Sequence, residues 1–126
     1  MKNLKKYYHL DAFAEDVYTA LTNPLTIELW TGSPAVMSTE PGSEFSLWDG
    51  DITGTNIEFI PNEKIVQHWD FGEDSTESMV TITLQQVGKQ TKVELLHINI
   101  PDEAFENILD GWDNFYFKPL KLLVEE

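Results

Sequence analysis

The side chains in this 126-residue sequence best suited to acid–base or metal chemistry are its three histidines, His9, His68 and His97. Imidazole titrates near neutral pH and is a common nitrogen ligand for metals. His97 alternates with Val93 and Leu95, so a strand that points those two inward points His97 inward as well. Opposite Trp112 it would be placed to orient a ligand, or to move a proton with a buried acid or Tyr116 as partner. The competing reading is a core histidine with satisfied hydrogen bonds. His68 adjoins Trp69 and therefore faces the other side of its strand. A three-histidine metal site needs all three rings to converge, and the opposite parity of His68 and His97 argues against it. No metal and no cofactor are expected.

Other short motifs resolve into structure rather than chemistry. Asp49-Gly50-Asp51 lacks the further oxygen ligands and terminal Glu of a calcium loop, and Asp-Gly favours a two-residue hairpin turn. Gly88-Lys89-Gln90-Thr91 imitates the end of a phosphate loop, but Thr83 stands where the first Gly belongs and two strands flank it. There is no Gly-x-Ser-x-Gly elbow. The absence of Cys excludes disulfides, thiolate metal sites and a Cys nucleophile.

Charge narrows the partners. Asp and Glu number 22 against eight cations, all Lys, for a formal net charge of −14. Such a field repels phosphate backbones, so no nucleic acid is expected, and the lack of Arg removes the usual bidentate clamp for anions. No segment is long and apolar enough for a membrane span. The Lys2, Lys5, Lys6 cluster is followed by Tyr7-Tyr8-His9 rather than an apolar run, unlike a signal peptide. Cytoplasmic location is the expectation.

The elements that must position these residues can be read from periodicity. Hydrophobic residues form 41% of the chain, enough for one well-cored domain over residues 1–126. Phe13, Val17, Ala20 and Leu21 mark a short helix ending before Asn23-Pro24, and a second helical turn runs to Gly32. Turn signals at Pro41-Gly42, Asp49-Gly50, Pro61-Asn62, Gly72 to Ser75 and Gly88 then separate about six strands, counting a first one at Leu4 to Leu10. Met79 to Val87 and Gln90 to Ile100 form a long hairpin. After Pro101, with Asp102 as cap, Phe105, Ile108, Leu109, Trp112, Phe115, Tyr116, Leu120 and Leu123 follow helical spacing, with a kink predicted at Pro119. Gly111 in mid-helix costs about 0.8–1 kcal/mol relative to Ala, which implies that a strand, loop or ligand comes close there.

These elements predict an α+β fold in which a curved antiparallel sheet grips a long C-terminal helix. The predicted ligand pocket lies between sheet and helix. Its expected lining is Trp30, Phe45, Leu47, Ile57, Phe59, Trp69, Leu84, Val93, Leu95 and His97 from the helical pair and strands, with Ile108, Trp112, Phe115 and Tyr116 from the helix. A small apolar or amphipathic molecule is the expected ligand, held with weak catalysis or none.

Several motifs, in order along the chain, carry a family likeness. They are Val17-Tyr18-Thr19-Ala20-Leu21-Thr22-Asn23-Pro24 with Trp30, Pro41-Gly42-Ser43-Glu44-Phe45, Gly54 with Ile57-Glu58-Phe59-Ile60-Pro61, Ile65 to Trp69, Thr91 to His97, and Gly111-Trp112 with Leu120. In this order the chain resembles the activator of heat-shock protein 90 ATPase homologue family, within the START-like, plant-allergen-like helix-grip group. It departs from the family pattern at Phe13-Ala14, where Ser-Pro is usual, and at Ser43, where a second Gly is usual. The resemblance implies the helix-grip fold and, as an alternative to ligand binding, a co-chaperone-like module with a chaperone or other protein as partner. The eukaryotic co-chaperone has two domains, of which this chain resembles the second. The same fold hosts cyclases and hydrolases, and either a monomer or a homodimer fits.

Overall fold

The computed structural model describes residues 1–72 and 77–126, so all of the predicted Gly72 to Ser75 turn except Gly72 lies outside the described residues. Strand β1 (Lys2–Leu10) is followed by helices α1 (Ala14–Thr22) and α2 (Pro24–Thr31). Five more strands follow: β2 (Glu44–Leu47), β3 (Ile52–Ile60), β4 (Lys64–Trp69), β5 (Ser78–Val87) and β6 (Gln90–Ile100). They form one antiparallel sheet ordered β1-β6-β5-β4-β3-β2. A 3-10 turn (Asp102–Ala104) then leads into α3 (Phe105–Gly111), a π-helical segment (Trp112–Phe117) and α4 (Lys118–Val124). Together these make the long C-terminal helix that the curved sheet grips, as expected.

Local chemistry explains the element ends. Phe13 cannot cap α1. Gln86 of β5 takes over that task, its Oε1 accepting from the Ala14 N–H at 3.1 Å. The Ser43 hydroxyl is used too, donating to the Glu40 carbonyl at 2.6 Å. Asn23 caps α2 by accepting from the Leu25 N–H at 2.9 Å, Pro24 opens it, and Gly32 closes it at φ 76°. At the β5–β6 hairpin Gly88 takes φ 64°, which lets Val87 and Gln90 pair across a two-residue turn.

Two local expectations are corrected, and at Pro119 the helix changes its hydrogen bonding in a way that periodicity did not specify. Leu47 pairs with Ile52, so Asp49-Gly50 lies within a four-residue loop rather than forming a two-residue turn. In that loop Trp48 and Asp49 adopt φ 50° and 53°. Asp102 places no side-chain hydrogen bond on the helix start; its carboxylate pairs with the N-terminal ammonium at 2.9 Å. At Pro119 the response is the π-helical segment, in which the Lys118 N–H reaches the Asp113 carbonyl five residues back. Because Pro119 has no N–H to offer the preceding turn, that turn can widen without losing a bond.

The widened turn decides which aromatic residues are inside. Trp112, Tyr116, Phe117 and Leu120 are buried, whereas Phe115 is 61% exposed. A regular α-helix would have kept Phe115 on the inner stripe. On β1, Tyr8 stacks on Phe117 at 4.0 Å and donates to Asp113 at 2.8 Å, and Lys6 pairs with the same carboxylate. Burial works against the charged form of Asp113, but the Lys6 and Tyr8 hydrogen bonds outweigh it and hold its pKa below the usual range. These contacts tie an edge strand to the helix.

Gly54 shows how tightly the sheet is built. A Cβ there would lie 1.9 Å from the His68 carbonyl oxygen and 2.8 Å from the Phe45 ring, which covers the glycine. At Gly111, by contrast, a Cβ would meet nothing within 4 Å. Opposite outcomes are expected from the same substitution. Gly54→Ala should destabilise by about 2–3 kcal/mol through overpacking, and Gly111→Ala should stabilise by about 0.8–1 kcal/mol through helix propensity. Urea unfolding of both variants would measure the two shifts.

Candidate functional site

Alternation along β4 sends Ile65, Gln67 and Trp69 into the interior, and alternation along β6 sends Val93, Leu95 and His97 there. Trp112 meets them from the helix, stacked on Trp69 with ring centres 4.8 Å apart. Each indole then needs an acceptor for its N–H. Trp69 Nε1 donates to Gln67 Oε1 at 3.1 Å, and Gln67 Nε2 donates to Asn56 Oδ1 at 3.0 Å. Asn56 Nδ2 continues the chain to the Ser38 carbonyl at 3.1 Å and the Ser43 hydroxyl at 3.2 Å.

Trp112 Nε1 donates to His97 Nδ1 at 3.1 Å, so Nδ1 must carry the lone pair. The proton therefore sits on Nε2, which meets Ser78 Oγ at 2.8 Å, while the Ser78 hydroxyl donates to the Ile98 carbonyl at 3.1 Å. His97 has no exposed surface, and burial pushes its pKa down to about 4. Both nitrogens are engaged, and the ring lies behind Trp69 and Trp112. The satisfied-core reading of His97 is thus the one observed, and the imidazole has no path for moving a ligand's proton. His68 points to the opposite face from Trp69, as its parity requires. Among the described residues, no three His, Asp or Glu side chains gather as they would around a metal.

A cleft of about 560 Å³ opens between the β2–β3 loop and the long helix. Trp48, Asp51, Ile52 and Trp69 form one side, and Asn107, Ile108, Gly111, Trp112, Phe115 and Tyr116 the other. Of the predicted lining, Trp69, Ile108, Trp112, Phe115 and Tyr116 are brought together here. Phe45, Leu47, Leu84, Val93 and Leu95 are core residues away from it, and Trp30 lies beyond Tyr116 with its N–H on the Ala20 carbonyl at 2.8 Å.

Ile57 and Phe59 do not line the cleft, and a β-bulge falls at Ile57. Asn56 pairs with Gln67 but Glu58 pairs with Val66, so Ile57 is the extra residue and is 43% exposed. Phe59 packs partly buried against the core. Sequence reasoning missed Trp48, Asp51, Ile52, Asn107 and Gly111 as lining. Only Gly111 carried a signal, the mid-helix glycine, and its reason is open space rather than close packing.

Comparison with known proteins sharpens this picture. Residues 11–125 match the family described as activator of Hsp90 ATPase homolog 1-like protein. The chain belongs to this family. An activator of 90 kDa heat shock protein ATPase homolog from Dictyostelium discoideum is 36% identical over 114 residues, covering 88% of this chain. That alignment spans only 30% of the Dictyostelium protein, so this chain is about a third as long as such relatives. A solved HSP90 activator from Plasmodium falciparum superposes with TM-score 0.89 at 26% identity, covering 98% of this chain and 96% of that one. The Aha1 dimer from Colwellia psychrerythraea, solved in solution, shares the fold at TM-score 0.82 and 20% identity over 99% of this chain and 97% of that one. The family's helix-grip architecture is therefore the architecture of this chain. Among the described residues, no helix is long and apolar enough to cross a membrane.

A pH dependence follows from His97. Its folded pKa of about 4 lies below the ordinary 6.5, so the unfolded chain takes up a proton that the native state refuses. This contribution to stability is complete above pH 6.5 and is lost as pH falls towards 4, by about 3 kcal/mol in all. His97→Asn keeps an acceptor for Trp112 but cannot titrate. The stability gap between wild type and this variant, measured by denaturant unfolding, should shrink by about that amount between pH 7 and pH 4.

Proposed function

We propose that this domain is a protein-interaction module of the co-chaperone kind, with a heat-shock protein 90 homologue as its partner. The family match over residues 11–125 carries this reading, supported by the likeness to a P. falciparum HSP90 activator across nearly its whole chain. A net charge of −14 favours a basic surface on the partner, with association that weakens as salt screens it. Action in the cytoplasm, as a monomer or a homodimer, goes with this reading. In a binding assay with a heat-shock protein 90 homologue from the same organism, a complex should form at low salt and weaken at about 0.5 M salt. Stimulation of the chaperone's ATPase is the functional readout. No complex at low salt, with ATPase unchanged, would remove the proposal.

The aromatic cleft favours a second reading, in which a small apolar or amphipathic molecule binds between the β2–β3 loop and the helix. Support comes from its volume and from Gly111, where the helix leaves space unfilled.

A further inference from the structure

The cleft has a chemistry that its size does not convey. Five aromatic side chains line it, Trp48, Trp69, Trp112, Phe115 and Tyr116, and Asp51 supplies its carboxylate. No lysine is among the lining residues. Asp51 is exposed and forms no ion pair among the described residues. The two innermost indoles have turned their N–H groups to Gln67 and His97, so these two donors are already occupied. What remains is aromatic surface, most of it on Phe115 and Trp48 because Trp69, Trp112 and Tyr116 are 5% exposed or less, together with the Asn107 amide and one carboxylate. The negative quadrupole face of such rings attracts cations. The domain's charge of −14 adds a field of the same sign.

Two backbone features keep this arrangement open. Trp48 holds φ 50°, a region that bulky residues rarely occupy, with its ring against Trp30 at 6.0 Å and Tyr116 at 6.1 Å. This strained placement brings an indole to the cleft mouth beside Asp51. Across from it, the missing side chain of Gly111 leaves the helix wall recessed.

We propose that the cleft binds an organic cation, an alkylammonium or guanidinium group held by the aromatic walls with Asp51 as its counter-ion. The proposal rests on the second reading above, that the cleft takes a ligand. A free amine and a Lys or Arg side chain of a bound protein present the same chemistry.

Titration of the isotope-labelled full chain, followed by NMR at the indole N–H signals, tests it with matched probes. Choline and 3,3-dimethylbutan-1-ol share shape and hydroxyl but differ in charge. Choline should bind at least about fivefold more tightly, and Asp51→Asn should weaken it about three- to fivefold. Gly111→Leu, which places a side chain in the open space on a helix-favouring residue, should abolish binding. Arginine amide run in parallel identifies the source: tighter binding than choline assigns the cation to a protein partner, and weaker binding to a small molecule. Equal affinity for the neutral alcohol would overturn the cation assignment while leaving the cleft a ligand site. No response to any of the probes would overturn both.

Discussion

Trp69 and Trp112 lie against each other, each 3% exposed or less, and a buried indole must place its N–H on an acceptor or lose much of what its burial gains. The acceptors come from opposite directions. Gln67 serves Trp69 from the same strand, and behind it Asn56 anchors the chain that enters β2. His97 serves Trp112 from β6, with Ser78 of β5 behind it. Two N–H groups thus draw side chains of four strands and the helix into one hydrogen-bonded interior. No buried side-chain nitrogen or oxygen is left without a partner among the described residues.

The same constraint shapes the helix. Trp112 must present its N–H to His97 while Tyr116, Phe117 and Leu120 remain buried further along, a spacing that a regular 3.6-residue turn does not supply. The π-helical segment adds the needed residue, with Pro119 just beyond it making the wider turn easy to accommodate. Its by-product is Phe115, turned out of the core and onto the cleft. Packing and the open site are in this sense one solution.

Charge is unevenly arranged around that framework. Lys2, Lys5 and Lys6 lie on β1, and Lys118 and Lys121 flank the adjoining groove at the end of the helix. The cleft beside Asp51 carries no lysine in its own lining, and Lys118 borders the neighbouring pocket that shares Trp48 and Phe115 with it. Lysines along an exposed edge strand also discourage pairing with another copy of the same strand. The fold itself does not choose between a chaperone partner and a small ligand, because helix-grip domains support both kinds of task.

The number of strands, the β5–β6 hairpin, the helical pair and the long C-terminal helix were legible in the sequence because period-two and period-3.6 patterns are local and punctuated by Gly and Pro, whereas the pairing of β1 with β6 was not. The inward parity of Trp69 and His97, and the outward parity of His68, followed from alternation alone. What the tertiary structure decided lies where a period is broken. The bulge at Ile57, the left-handed loop at Trp48 and the π-helical turn at Phe115 each add or displace one residue, and each reassigns a side chain to another face. Local pattern cannot announce such breaks, since they answer to distant demands: a register against β4, a ring stacked on Tyr116, an indole reaching for His97. The composition of the interior was written in the sequence, but its opening to solvent was set by packing between segments far apart in the chain.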